Sequence, residues 1–254
     1  MIDRFLHSAD AKRALHTLQK LSRHDTTGWA LAGGFAVEIH CLRGEQPPST
    51  RRLNDIDFVA SAFDCIPETL AEDFLFRHVH PFDPPGKTIL QLVDAETALR
   101  IDLFRAYGEI MRRTVSVNLL SGPMQLISQD DIQARAARLL LDLGGGIPVP
   151  AKHADNYLRL ERLVQPFGVE VAWPDHRKPG HPKTFREAST LVQRLIATHR
   201  DLLINVDYSK DATQGCPRCV AQMHSRWRIR ISCSRCSGTA SHSAALSSTV
   251  FVYA

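Results

Sequence analysis

Between residues 31 and 59 the chain runs from a short apolar segment into a glycine pair, Gly33-Gly34. It then passes through a helix-compatible stretch and returns to an apolar segment carrying Asp55-Ile56-Asp57. No other run constrains the fold as much. Glycines at the end of an apolar strand let the backbone approach a phosphate closely, because no Cβ stands in the way. Two carboxylates separated by one residue on a strand point to the same face. Side by side they repel, and one is driven toward protonation unless a cation lies between them. The natural cation beside a phosphate is Mg²⁺, which takes one or two protein carboxylates and completes its shell with phosphate oxygens and water. A third acid, Asp102, sits in a second strand-like run, residues 99–104. Together these residues point to phosphoryl- or nucleotidyl-transfer chemistry.

The surrounding pattern predicts an α+β fold, a small mixed sheet with flanking helices. Ala11, Ala14, Leu15, Leu18 and Leu21 recur at helical spacing over residues 9–23. Residues 29–32 read as a short buried strand, and 35–42 as a helix whose N-terminus faces the phosphates. Residues 44–49, with two prolines, read as a loop, and 53–60 as the strand of the acid pair. Residues 88–93 and 99–104 flank a turn at 94–98 and predict a hairpin, and 114–119 and 124–128 add two short strands. Beyond Ser128 the character becomes helical. Gln129-Asp130-Asp131 can start a helix with an apolar stripe of Ile132, Ala136, Leu139 and Leu143, closed by Gly144-Gly145-Gly146. A further helix follows Pro150, residues 173–182 read as a linker with three prolines, and 184–204 as a last amphipathic helix. The expected division is a core over residues 1–128, a helical segment over 129–205 and a tail over 206–254.

The ordered set of Gly33-Gly34 opening a helix, Asp55-x-Asp57 and Asp102 on a neighbouring strand resembles the nucleotidyltransferase superfamily related to DNA polymerase β. The likeness covers roughly residues 10–165 and looks closest to the small prokaryotic branch of abortive-infection toxins and antibiotic nucleotidyltransferases. The resemblance implies that Asp55, Asp57 and Asp102 are catalytic Mg²⁺ ligands and that Gly33 and Gly34 meet the phosphates of an NTP. It implies release of pyrophosphate as an NMP passes to a hydroxyl on RNA or tRNA, a protein or a small molecule, and in the toxin-like branch a cognate antitoxin partner. Arg51 and Arg52 precede the acid pair closely and are candidates to neutralise phosphate charge; a plain surface salt bridge is the alternative. Lys152 and Asp155 match a Lys-Asp-x-x-Asp-Leu-like stretch of antitoxin-paired relatives, with His153 where an Asp is usual. Lys152 is a candidate to reach the triphosphate, or a solvated lysine at a helix start. Two positions depart from the pattern. Phe35 stands where many members have Ser or Thr, and Leu53 stands two residues before the first acid, where Thr or Ser is frequent.

The cysteines form a second signal. Cys216-Pro217-Arg218-Cys219 and Cys233-Ser234-Arg235-Cys236 are two Cys-x-x-Cys pairs separated by thirteen residues, a spacing that suits a tetrahedral Zn²⁺ bound by four thiolates in a small zinc-ribbon-like tail. Between them Arg226-Trp227-Arg228-Ile229-Arg230-Ile231 alternates basic and apolar residues, as a half-buried strand with a basic stripe does. A nucleic-acid contact, a zinc-stapled cap and a poorly ordered extension all fit this tail. Cys41 and Cys65 read as ordinary buried side chains. The twelve histidines are scattered, with no metal-ligand spacing.

Composition is compatible with a cytoplasmic enzyme. No apolar run reaches the roughly 20 residues a membrane span needs, the N-terminus carries no signal-peptide pattern, and a net charge of +4 suits an anionic substrate without demanding nucleic acid. Two other classes stay open: a non-catalytic nucleotide-binding module, and a zinc-dependent nucleic-acid-binding protein with the core as scaffold.

Overall fold

The computed structural model of the 254-residue chain describes residues 2–49, 53–62, 66–77, 89–119, 122–164, 166–206, 220–224 and 228–232. In chain order its elements are α1 (Ser8–Leu21), β1 (Trp29–Leu31), α2 (Gly33–Arg43), β2 (Asp55–Ala60), α3 (Leu70–Asp73), β3 (Leu75–Arg77), β4 (Ile89–Val93) and β5 (Arg100–Arg105). They continue with β6 (Val115–Leu119), β7 (Gly122–Leu126), α4 (Gln129–Leu140), β8 (Val149–Pro150), α5 (Ala151–Leu160), α6 (Pro166–His176) and α7 (Phe185–Thr198). The last are β9 (Leu203–Ile204), β10 (Val220–His224) and β11 (Arg228–Ser232). The fold is mixed α+β, as the pattern predicts. None of the described helices is long and apolar enough to cross a membrane.

The chain divides into two units, each built from separate stretches of sequence. The first holds Met1–Trp29, Thr50–Ala106 and Asp207–Ala254. Its strands form a mixed sheet in the order β11-β10-β3-β4-β5-β2. β2 and β5 run parallel, and the remaining neighbours are antiparallel. Period-two alternation sorts the side chains of β2 and β5: Ile56, Phe58, Ile101 and Leu103 are buried on one face, and Asp55, Asp57, Arg100 and Asp102 share the other. The β4–β5 turn is held by Asp94 N donating to Leu99 O at 2.9 Å and Glu96 N donating to Asp94 Oδ1 at 3.1 Å.

α1 grips that turn. The helix expected over 9–23 is present, but its inner face is not the apolar stripe alone. Leu15 is exposed, while Thr17 and Lys20 are buried with Ala14, Leu18 and Leu21. The reason lies in the turn it meets. Thr17 Oγ1 donates to Asp94 Oδ2 at 2.7 Å and Lys20 Nζ to Asp94 Oδ1 at 3.0 Å, so the buried acid draws polar side chains inward.

The second unit holds Ala30–Ser49 and Tyr107–Val206. Ala30 and Leu31 pair in parallel with Gln125 and Leu126 of β7, and β6 pairs antiparallel with β7. α4 is capped by Ser128, whose side chain accepts from Asp131 N at 3.0 Å, and α7 by a Thr184–Glu187 capping box. The helices close over Leu140, Tyr157, Trp173 and Val192. Of the expected stripe, Ala136 and Leu143 are buried while Ile132 and Leu139 are only partly so; Ala137 and Leu140 are buried as well, so the inner face of α4 is turned slightly from the expected one. Cys41 is buried against Val37 and Leu160, as expected of a free cysteine.

The expected linker over 173–182 is corrected. α6 runs to His176 and carries the fully buried Trp173, whose Nε1 donates to Pro182 O at 3.0 Å. Its ring packs on His181 and Phe185. Pro174 lies inside the last turn of the helix, where its missing N–H removes one i→i−4 hydrogen bond, a cost that the burial of Trp173 and its neighbours outweighs. The stripe Val169, Ala172, Trp173 and His176 overrides the proline signal. α6 approaches α4 at Gly168, where a Cβ would lie 2.2 Å from the Asp130 carboxylate. The last helix also ends sooner than expected, at Thr198, and residues 203–204 form β9.

Candidate active site

The parallel register of β2 and β5 sets Asp57 opposite Asp102 and Asp55 opposite Arg100. One carboxylate oxygen from each of Asp55, Asp57 and Asp102 lies within 4.8 Å of the others. The structure thus brings the three candidate acids together within the first unit. Asp102 is the deepest, 6% exposed, while Asp55 and Asp57 are partly buried. On β4, Gln91 stands opposite Asp102, and its Nε2 donates to Asp102 Oδ1 at 2.7 Å. Arg100 reaches across the same face: its Nη2 donates to Asp55 Oδ2, and its Nε lies 3.1 Å from Asp102 Oδ1.

Burial pushes the Asp102 carboxyl above its ordinary range; the Arg100 charge and the Gln91 hydrogen bond pull it back, and Asp55 adds to the rise. Burial also works against the charge of Arg100, yet the fields of Asp102 and Asp55 outweigh it and hold the guanidinium above its ordinary value. Asp55 and Asp102 thus repel one another, and Arg100 draws on the charge of both.

The donor set suits a hard divalent cation. All three ligands are carboxylate oxygens, the class Mg²⁺ prefers, and two ligands on one Mg²⁺ lie at most about 4.2 Å apart given bonds of about 2.1 Å. Oxygens within 4.8 Å need little movement to meet that. Gln91 Oε1 is buried and has no hydrogen-bond donor among the described residues, an acceptor that ion-bound water can fill.

A second acidic group, His16, Asp94 and Glu96, has its ligand atoms equally close. It is answered internally. Lys20 Nζ donates to Asp94 Oδ1 at 3.0 Å and to Glu96 Oε1 at 2.7 Å, and Thr17, Thr97 and the Glu96 N–H also donate to Asp94. These donors outweigh burial and hold Asp94 below its ordinary range. This cluster is a structural clasp.

The other candidates are placed as follows. Gly33 and Gly34 open α2 in the second unit; Gly33 has φ +61°, a conformation that favours glycine, and Ala32 gives the helix no side-chain cap. Lys152 is exposed in the first turn of α5. Arg51, Arg52, Cys65, Cys216, Cys219, Cys233 and Cys236 lie outside the described residues. Sequence reasoning assigned no role to Arg100 or Gln91. Arg100 was within reach, because it stands two residues before Asp102 and so shares its face. Gln91 needed the β4–β5 register, which the turn at 94–98 sets.

No protein-family model and no curated protein matches this sequence. Among solved structures, the chain is similar to an antigenic nucleotidyltransferase-like protein from Paracoccidioides brasiliensis, at 14% identity over 80% of this chain and 97% of that one, with a TM-score of 0.45. It is also similar to JHP933 from Helicobacter pylori, at 14% identity over 82% of this chain and 99% of that one, with a TM-score of 0.32.

Proposed function

We propose that this chain is a divalent-metal-dependent nucleotidyltransferase that moves an NMP from an NTP to a hydroxyl acceptor. The reading rests on one observation: Asp55, Asp57 and Asp102 converge on one face of the β2–β5 pair, with a carboxylate oxygen of each within 4.8 Å of the others. Asp55, Asp57 and Asp102 would hold Mg²⁺, which when bound supplies charge neutralisation for the triphosphate and the developing transition state. Asp102 receives the proton of the acceptor hydroxyl, as the carboxylate that Gln91 holds in place beside the acid pair. The acceptor oxygen then bonds to the α-phosphorus as the bond to the β-phosphate bridging oxygen breaks, and pyrophosphate leaves. Gln91 orients Asp102 by fixing Oδ1, so that Oδ2 is the oxygen offered to ligand or proton.

The finer assignments follow the resemblance. Gly33 and Gly34 carry the phosphate role through backbone N–H groups at the start of α2, with Arg51, Arg52 and Lys152 as candidate phosphate partners. The acceptor is RNA or tRNA, a protein hydroxyl or a small molecule, and a cognate antitoxin is the expected regulator in a toxin-like setting. In the tail, Cys216, Cys219, Cys233 and Cys236 are the proposed Zn²⁺ ligands. The β10–β11 register supports this: Val220 pairs with Ser232, and these strand ends are joined in sequence to the two cysteine pairs.

The test is to incubate the protein with each α-labelled NTP, Mg²⁺, and separated RNA and protein fractions of a cell extract. One fraction is expected to gain label, and Asp102→Ala is expected to eliminate that gain while NTP binding persists. Turnover unchanged by Asp102→Ala would remove the third acid from the site.

A further inference from the structure

We infer that Arg100 is a resident counter-ion of Asp55 and Asp102, which a divalent cation must displace in order to bind to them. The inference rests on the reading of Asp55, Asp57 and Asp102 as a cation site. Its geometry is set by the strands. Arg100 and Asp102 are two apart on β5 and therefore share a face, and the parallel register puts Asp55 directly opposite Arg100. The guanidinium is in contact with both acids, pairing with Asp55 Oδ2 and lying 3.1 Å from Asp102 Oδ1. A cation bonded to those carboxylates at about 2.1 Å and a guanidinium in contact with the same groups compete for space, and their like charges repel. Entry of the ion is then an exchange of cations.

One feature marks Arg100 as displaceable where Lys20 is not. Arg100 Nε is buried without a well-aligned hydrogen bond despite its nearness to Asp102, so the clasp is incomplete. In the other acidic cluster Lys20 Nζ makes two good hydrogen bonds, and its partner Asp94 receives three further donors. Displacement needs side-chain rotation alone, since Arg100 reaches the acids through its own long stem from within β5. Once displaced, its fork of N–H donors matches the oxygens of a phosphate. The exchange thus frees a phosphate partner at the moment the acids take up the ion.

The test is Mn²⁺ binding without nucleotide, followed by electron paramagnetic resonance, in the parent, Arg100→Gln, Arg100→Lys and each combined with Asp57→Asn. If Arg100 covers the cluster about nine-tenths of the time, apparent affinity in the parent is reduced about tenfold. Arg100→Gln is therefore expected to bind Mn²⁺ about tenfold more tightly than the parent, with a lower melting temperature in the absence of metal and a larger rise on adding it. Arg100→Lys is expected to fall between, because an ammonium cannot contact two acids through a planar fork. Equal or weaker binding in Arg100→Gln, or in Arg100→Lys should the Gln variant not fold, overturns the exchange and leaves the cation site standing. Absence of Mn²⁺ binding in every chain, or binding indifferent to Asp57→Asn, removes the cation site itself.

Discussion

Lys20 and Arg100 are the two residues that decide how each acidic cluster behaves. Asp94 is fully buried, and a buried carboxylate that loses its cation keeps its desolvation cost. Lys20→Met is therefore expected to destabilise the protein by about 3 kcal/mol or more, read as a urea-midpoint shift. Adding Asp94→Asn to that variant is expected to recover part of the loss, because no charge is then stranded. Additive losses in the double variant would show that Lys20 acts through packing alone. At the catalytic candidates, strand alternation made the shared face of Asp55 and Asp57 legible in the sequence, and the match of Asp102 to a neighbouring strand supplied the third acid. The neighbours of Asp102 were less legible. Gln91 meets it only through the register of a hairpin, and hydrophobic pattern does not fix which residues stand opposite.

At the scale of elements, apolar spacing located α1, β2, β5 and α4, but it missed where polar groups are buried by design. Thr17 and Lys20 face inward on α1 because Asp94 waits there, a partner distant in sequence. Three prolines punctuate residues 173–182 as they would a linker, whereas the packing of Trp173 on His181 and Phe185 holds it in place. α2 offers a pH test of its own. His40 is buried, and its Nε2 donates to Ile127 O at 2.8 Å. Burial holds its pKa below the ordinary 6.5, with the Arg43 charge adding to the depression and the Ile127 hydrogen bond opposing it. Below pH 6.5 the unfolded chain takes up a proton at this residue that the folded chain refuses, so stability falls with pH from 6.5 down to the lowered value. His40→Gln keeps a donor to Ile127 and removes the titration. Its urea midpoint is expected to fall less steeply than the parent's between pH 6.5 and 5. Parallel curves would show that His40 is not the group responsible.

At the scale of the whole molecule, both units are discontinuous in sequence, assembled from stretches as far apart as residues 1–29 and 207–254. Such a division follows from strand pairing between distant segments, β10 with β3 above all, and local composition carries no trace of it. The tail is the proposed home of a structural zinc. One Zn²⁺ per chain is expected in protein purified without added metal. Removing it is expected to expose residues 206–254 to protease while the carboxylate site keeps its Mn²⁺ affinity, since a small segment stapled by metal unfolds without it. Zinc-free protein with a tail equally sensitive before and after chelation would contradict this assignment.

Transfer of a nucleotidyl group, and not of a terminal phosphate, is the proposed work of the carboxylate face. Supplying the same NTP labelled either at the α- or at the γ-phosphate, with Mg²⁺ and the accepting fraction, to the parent and to Asp57→Asn separates the two. α-Label is expected in the acceptor and γ-label in pyrophosphate, and Asp57→Asn is expected to lower both by at least about a hundredfold while the fold persists, as loss of a metal ligand worth several kcal/mol requires. Label from the γ-phosphate in the acceptor, or transfer by Asp57→Asn within about tenfold of the parent, would contradict that proposal.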